Sequence, residues 1–67
     1  MIRTVTKIGR IVITYDENAF GEDKPREGWS LWRPELKPLG QQWLATFENP
    51  GDAICEAVGL NEIIERN

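Results

Sequence analysis

Residues 43–60 read WLATFENPGDAICEAVGL and carry the strongest structural signals in the chain. The first five of these residues alternate between two faces and place Trp43 and Phe47 on the same one, which is the period of a half-buried strand. A helix start follows directly, because Asn49 is a favourable N-cap and Pro50 fits the first helical position. The stretch therefore predicts a strand followed at once by a helix.

The predicted helix covers residues 50–58. Ile54, Ala57 and Val58 lie three and four residues apart, which indicates one apolar stripe that faces the sheet. Gly59 stands where a left-handed residue ends many helices. We therefore expect the helix to stop there.

The N-terminal residues 1–15 predict a β-hairpin. Residues 2–7 and 10–15 are both rich in isoleucine, valine and threonine, as strands are. We expect Gly9 to adopt a left-handed conformation that closes a type I turn between them. The helix should then cover one face of this hairpin.

Two further strands are predicted at residues 29–33 and 41–47, separated by a proline-containing turn at residues 34–40. A long polar loop, residues 16–28, precedes them. The predicted fold class is thus α+β, a three- to four-stranded antiparallel sheet packed on one C-terminal helix in two layers. Residues 61–67 form a tail that fits either another helical turn or a short edge strand.

The composition is that of one small globular domain. The chain has 67 residues, of which 40% are hydrophobic and 28% charged, and its net charge is -3. The charge is distributed unevenly, because residues 1–15 carry three bases and no acid, whereas the loop at residues 16–28 is acidic. The hairpin is therefore the predicted basic surface.

The location that the sequence favours is the cytoplasm. No apolar run is long enough for a signal peptide or a membrane-spanning helix, so we expect no membrane partner. Cys55 is the single cysteine and cannot staple the fold. We expect it to be a small buried residue in a reducing compartment.

The side chain that most often serves as a general base in enzymes is missing from the chain. The chain contains no histidine, and no glycine-rich phosphate loop is present, so we expect neither catalysis nor a cofactor. Asp16, Asn18, Gly21 and Glu27 have the spacing of a calcium loop, but Phe20 occupies a position that should offer an oxygen. The acidic residues are interpreted as solvating charges, and no metal is expected.

Three tryptophans in so short a chain are the remaining anomaly. We expect two in the core and one, Trp32, on the outer face of the sheet. The predicted protein-binding residues are Trp32, Arg33 and Trp29. They predict a small non-enzymatic regulatory or inhibitory protein that binds another protein through its exposed sheet face. The alternative is that Trp32 closes the open end of a small core.

A resemblance supports a second function. Gly28 and Trp29 open a strand, and residues 43–47 lead into a helix that carries Ala53 and Ala57. This order resembles the arm-type DNA-binding domains of integrases and related plant factors, which lay a sheet in the major groove. Strands three and four carry fewer bases here than in that family. The alternative is thus a nucleic-acid-binding module whose contacts come mainly from the basic hairpin: Arg3, Lys7, Arg10 and Arg33.

A homodimer is the third arrangement that the sequence suggests. The helix covers one face of the sheet, so the other face is free to pair with a second copy. A dimer of this kind would cover Trp32 without a foreign partner.

Overall fold

The fold is a four-stranded antiparallel sheet covered on one face by a single helix. The computed structural model describes residues 2–21, 23, 26–34 and 40–66. Its elements in chain order are β1 (Arg3–Ile8), β2 (Ile11–Asp16), β3 (Gly28–Pro34), β4 (Gln41–Phe47) and α1 (Pro50–Arg66). The strand order in the sheet is β1-β2-β3-β4. The predicted two-layer α+β class is confirmed.

Some predicted features fall outside the described residues. They are most of the turn at residues 34–40, three positions of the acidic loop (22, 24 and 25), and Asn67. Of the helices in the described parts of the chain, none is long and apolar enough to cross a membrane.

The β1–β2 hairpin turns through two residues. Ile8 pairs with Ile11, so the loop consists of Gly9 and Arg10, and Gly9 has φ 57°. Arg10, the second loop residue, has no positive φ, so the turn is type II′ rather than type I′, and its twist follows that of the strands. The predicted type I turn is therefore wrong, because Ile8 belongs to the strand. The side chain of Asn61 packs against Gly9 and accepts a hydrogen bond from the Arg10 amide at 2.8 Å.

The core lies between the sheet and α1. Its fully buried members come from two central strands and the helix: Ile11, Ile13, Leu31, Ala53 and Ala57. Half-buried hydrophobic residues pack around them: Ile8, Trp29, Leu44, Phe47, Leu60 and Ile64. The alanines let the helix lie close to the large side chains of the sheet.

The helix is longer than predicted. It continues through Gly59 to Arg66, and Gly59 has no positive φ. Leu60 and Ile64 extend the apolar stripe and pack against the core, which supports the extra turns. The predicted stop at Gly59 is wrong, and residues 61–66 of the predicted tail are helical. The N-terminus is as predicted, since Asn49 Oδ1 accepts a hydrogen bond from the Gly51 amide at 2.8 Å.

The buried stripe of α1 starts one residue earlier than predicted. Ala53 and Ala57 are buried, whereas Ile54 and Val58 are 45% and 44% exposed. Cys55 is also exposed, so its predicted burial is wrong. Helix geometry explains the shift, because each residue turns the helix by about 100°. The apolar stripe that includes Leu60 therefore contains Ala53 and Ala57 rather than Ile54 and Val58.

The expected effect of replacing Gly59 with alanine tests the longer helix. Gly59→Ala should raise the free energy of unfolding by about 0.5–1 kcal/mol, because alanine is favoured over glycine inside a helix. A Cβ at this position meets nothing within 4 Å. Chemical denaturation measures the change. A loss of stability would mean that Gly59 ends the helix in a left-handed conformation.

Candidate functional site

The sheet face opposite α1, called the outer face here, carries two rows of side chains that run across all four strands. The cross-strand register defines the hydroxyl row as Thr4, Thr14, Ser30 and Thr46. The tryptophan row beside it consists of Lys7, Val12, Trp32 and Trp43. Small polar side chains therefore lie next to large apolar ones.

Hydrogen bonds connect the two rows. Trp32 Nε1 donates to Thr14 Oγ1 at 2.8 Å, and Trp43 Nε1 donates to Thr46 Oγ1 at 2.9 Å. The hydroxyl groups of Ser30 and Thr46 are 2.9 Å apart and share a further hydrogen bond. The polar edge of each indole is thus satisfied within the chain, and each ring is oriented by a bond in addition to its packing.

The burial of the two rows differs. Thr14 and Ser30 are 7% and 9% exposed, whereas Trp43 is 55% exposed. Val12 and Trp32 are half-buried. Of the two rows, Trp43 is thus the large hydrophobic side chain that is exposed to solvent, and the exposed Thr4 and Lys7 lie at the β1 end of the rows.

Trp43 reaches the outer face because β4 contains a bulge. Leu31 pairs with Ala45 and Trp32 pairs with Trp43, so Leu44 is an extra residue in β4. Leu44 packs against the core, and Trp43 moves to the opposite side. The alternation of residues 43–47 predicts that Trp43 lies on the buried face with Phe47, and this prediction is wrong. Simple alternation contains no signal for the bulge, so Trp43 was missed as a site residue.

The predicted protein-binding residues do not form one cluster. Trp32 lies on the outer face, but it is half-buried rather than fully exposed. Trp29 lies on the helix side, where it packs against the core and contacts the Tyr15 ring with centroids 5.3 Å apart. Strand alternation places the exposed Arg33 on the side opposite Trp32. Two tryptophans thus share the outer face, and the second is Trp43.

The predicted nucleic-acid contacts are also divided between surfaces. The Cζ atom of Arg3 lies 5.1 Å from the centroid of the Tyr15 ring, on the helix side. Lys7 lies in the tryptophan row of the outer face, and Arg10 lies in the adjoining turn. Arg33 lies near the end of β3. The four bases therefore present no single basic stripe.

The acidic loop is held at the opposite end of the sheet. Asp16 Oδ1 accepts a hydrogen bond from the Asn18 amide at 2.9 Å. Arg26 and Glu48 form an ion pair at 2.7 Å, and together with Glu27 they line an open pocket of about 340 Å³. Among the residues that the structure describes, no group of three potential metal ligands is present.

The loop packs against the sheet where β3 begins. A Cβ built on Gly28 would lie 2.7 Å from the Ala19 Cβ and 2.9 Å from a ring carbon of Phe20. Glycine at this position allows the loop to fold against the strand. At the other end of the loop, Glu27 accepts a hydrogen bond from the Tyr15 hydroxyl at 2.9 Å, which connects the loop to β2.

Comparison with known proteins finds no matching family model, no matching curated relative and no matching solved structure.

Replacing Thr46 tests the bonds between the rows. Thr46→Val keeps the shape but removes the acceptor for Trp43 and the partner of Ser30, so it should lower the free energy of unfolding by about 1 kcal/mol. The indole N–H of Trp43 should also exchange faster with solvent in NMR spectra. Thr4→Val is the matched control from the exposed end of the same row. Equal effects of the two variants would contradict the hydrogen-bonded row.

The Tyr15–Glu27 hydrogen bond predicts a titration. This bond, followed by desolvation and the Glu27 charge, raises the pKa of the Tyr15 hydroxyl. The native state therefore favours neutral Tyr15, a contribution that is present below the ordinary tyrosine pKa of about 10 and is lost as the pH rises through the raised value. Glu27→Gln should lower the pKa, as measured by phenolate absorbance. An unchanged titration would show that Glu27 does not hold Tyr15.

Proposed function

We propose that this chain is a small non-enzymatic regulatory or inhibitory protein that binds another protein through the outer face of its sheet. One observation carries the proposal. Trp43 is 55% exposed although its polar N–H is bonded to Thr46, so the atoms left for solvent are apolar. A partner that covers an exposed indole without a free polar edge lowers the free energy of the complex, because apolar surface is removed from water.

The bonded indoles also lower the entropic cost of binding. A side chain that is already held in one orientation loses little freedom when it enters an interface. Trp32 and Trp43 are both oriented by threonine hydroxyl groups of the neighbouring row. Tryptophan is among the residues that contribute most to protein interfaces. We therefore propose Trp43 and Trp32 as the anchors of the binding surface.

Charged residues lie around the two anchors and would form the polar rim of the interface. Lys7 lies at the end of the tryptophan row, and the acidic loop with Glu48 lies at the other end of the strands. Charged rims steer partners and select among them, while the apolar centre supplies affinity. Arg33, on the opposite side by alternation, has no contact role in this proposal.

Size and chemistry support the regulatory or inhibitory role. A chain of 67 residues without histidine has room for one binding face and lacks the usual general base. We further propose that the protein acts in the cytoplasm, where an exposed thiol such as that of Cys55 stays reduced.

Trp43→Ala is the direct test of the binding face. Truncation of an interface anchor costs about 2 kcal/mol, so a partner captured from extract of the source organism should bind about 30-fold more weakly. Ile63→Ala is the matched control, because Ile63 is 56% exposed on α1. Surface plasmon resonance with the captured partner measures both affinities. Loss of binding in the control, or unchanged binding of Trp43→Ala, would contradict the assignment.

A titration with random-sequence duplex DNA separates the nucleic-acid alternative. The proposal predicts unmoved amide NMR signals, because the candidate bases lie on different surfaces. Signals of Arg3, Lys7, Arg10 and Arg33 that move together at low salt and return at moderate salt would favour DNA binding instead.

A further inference from the structure

The β1 edge of the sheet is left uncovered by α1. Residues 3–7 of β1 are all exposed. Two of them lie on the helix side of the sheet: Arg3, whose guanidinium lies over the Tyr15 ring, and Thr6, which pairs with the buried Ile13. Among the described strands, β1 has a neighbour on one side only, so the backbone N–H and C=O groups that point to its other side have no strand to pair with.

One flank of α1 faces this edge, and it is apolar. Asn61 marks the direction of the flank, because its side chain bonds to the Arg10 amide in the β1–β2 turn. Ile54, Val58 and Asn61 have the spacing i, i+4 and i+7 of a single helical face. Ile54 and Val58 are 45% and 44% exposed. The apolar surface of α1 therefore continues beyond the core towards β1.

The bulge of β1 adds a further apolar side chain and limits what can pair with the edge. Val5 is the extra residue between Thr4 and Thr6, and it is 51% exposed. A bulge in an edge strand weakens pairing with strands in general. Side-chain contacts must therefore select the segment that pairs here.

The charges at this edge select an acidic segment. Residues 1–15 carry Arg3, Lys7 and Arg10 and no acid. In the part of the chain that the structure describes, no carboxylate forms an ion pair with any of these three bases. A second copy of β1 is disfavoured, because antiparallel pairing centred on Val5 would bring Arg3 opposite Lys7. Aspartate or glutamate on an added strand would place opposite charges there instead.

We propose that the edge of β1 binds an extended acidic segment of another protein as a fifth strand of the sheet. The backbone of the segment forms hydrogen bonds with the open edge of β1. Its alternate side chains are apolar and lie on the helix side, against Ile54 and Val58, and its carboxylates lie near Arg3 and Lys7. Strand addition of this kind takes affinity from backbone hydrogen bonds and specificity from alternate side chains.

The β4 edge does not offer the same site. Residues 41–47 contain no charged side chain. Glu56 lies about 200° around α1 from Ile54, on the flank that faces away from β1. An acidic segment beside β4 would thus meet no base on the strand and a like charge on the helix. Charge therefore assigns the segment to β1.

An NMR titration with a synthetic peptide tests the site. The probe is an eight-residue peptide with glutamate at both ends and alternating valine and threonine between them. Amide signals of β1 and methyl signals of Ile54 and Val58 should shift together. The same peptide with lysine at both ends should bind about tenfold more weakly, because two charge pairs are reversed. Equal affinities of the two peptides, an unmoved spectrum at millimolar peptide, or shifts confined to the outer face would overturn the inference.

Val58→Glu tests the contact with α1. The new carboxylate would face the valines of the bound peptide and should weaken binding about tenfold. Ile63→Glu is the matched control, because it adds the same charge at a position that is 56% exposed on a different flank of α1. The control should bind within about twofold of the unmodified chain. Equal losses in the two variants would overturn the α1 contact.

Two N-methylated peptides test the backbone pairing, and they decide the matter if circular dichroism shows that Val58→Glu does not fold. One carries N-methyl groups on its valines and the other on its threonines, so each has one blocked edge. A fifth strand pairs through one edge only. One peptide should therefore lose binding while the other keeps it, and equal affinities would overturn strand addition.

This site is separate from the anchors Trp32 and Trp43, which lie on the outer face. Trp43→Ala should therefore leave the affinity for the peptide unchanged. Loss of peptide binding in Trp43→Ala would place the peptide on the outer face and overturn the β1 site. Failure of the peptide to bind would leave the capture of a partner through Trp43 intact.

Discussion

A bulge at Leu44 determines which side chains of β4 face the helix and which lie on the outer face. The extra residue, Leu44, enters the core, and Trp43 moves to the face that the helix does not cover. Without the bulge, alternation would put Leu44 on the outer face and Trp43 under the helix. One irregular residue thus places Leu44 in the core and Trp43 on the outer face.

The core is small, and α1 compensates because its buried alanines let the helix lie close to the sheet. Ala53 and Ala57 face the buried isoleucines of β2, and Leu60 and Ile64 extend the contact toward the hairpin turn. There Asn61 bonds to the Arg10 amide, which connects the last turns of α1 to the β1–β2 loop. Gly59 is tolerated inside the helix because packing on both sides of it outweighs its low propensity.

The sequence was sufficient for the element order, the fold class and the helix N-cap, because these depend on local signals such as alternation and Asn49-Pro50. Features that depend on tertiary packing could not be predicted from the sequence. Gly59 carries the local signature of a helix end, and only the contacts of Leu60 and Ile64 override it. The face on which Trp43 lies depends on which residue of β4 forms the bulge. Leu44 forms it, and its side chain packs against the core. Trp32 was assigned to the correct face, yet its bond to Thr14 requires the cross-strand register.

The outer face presents the Trp43 ring to solvent, while hydrogen bonds within the chain hold the indole N–H groups of Trp32 and Trp43. NMR of tryptophan-labelled protein with a soluble paramagnetic agent measures both properties at once. The Trp43 ring C–H signals should broaden strongly, and its indole N–H should exchange slowly with water. A Trp43 ring shielded from the agent, or an N–H that exchanges as fast as that of free tryptophan, would contradict it.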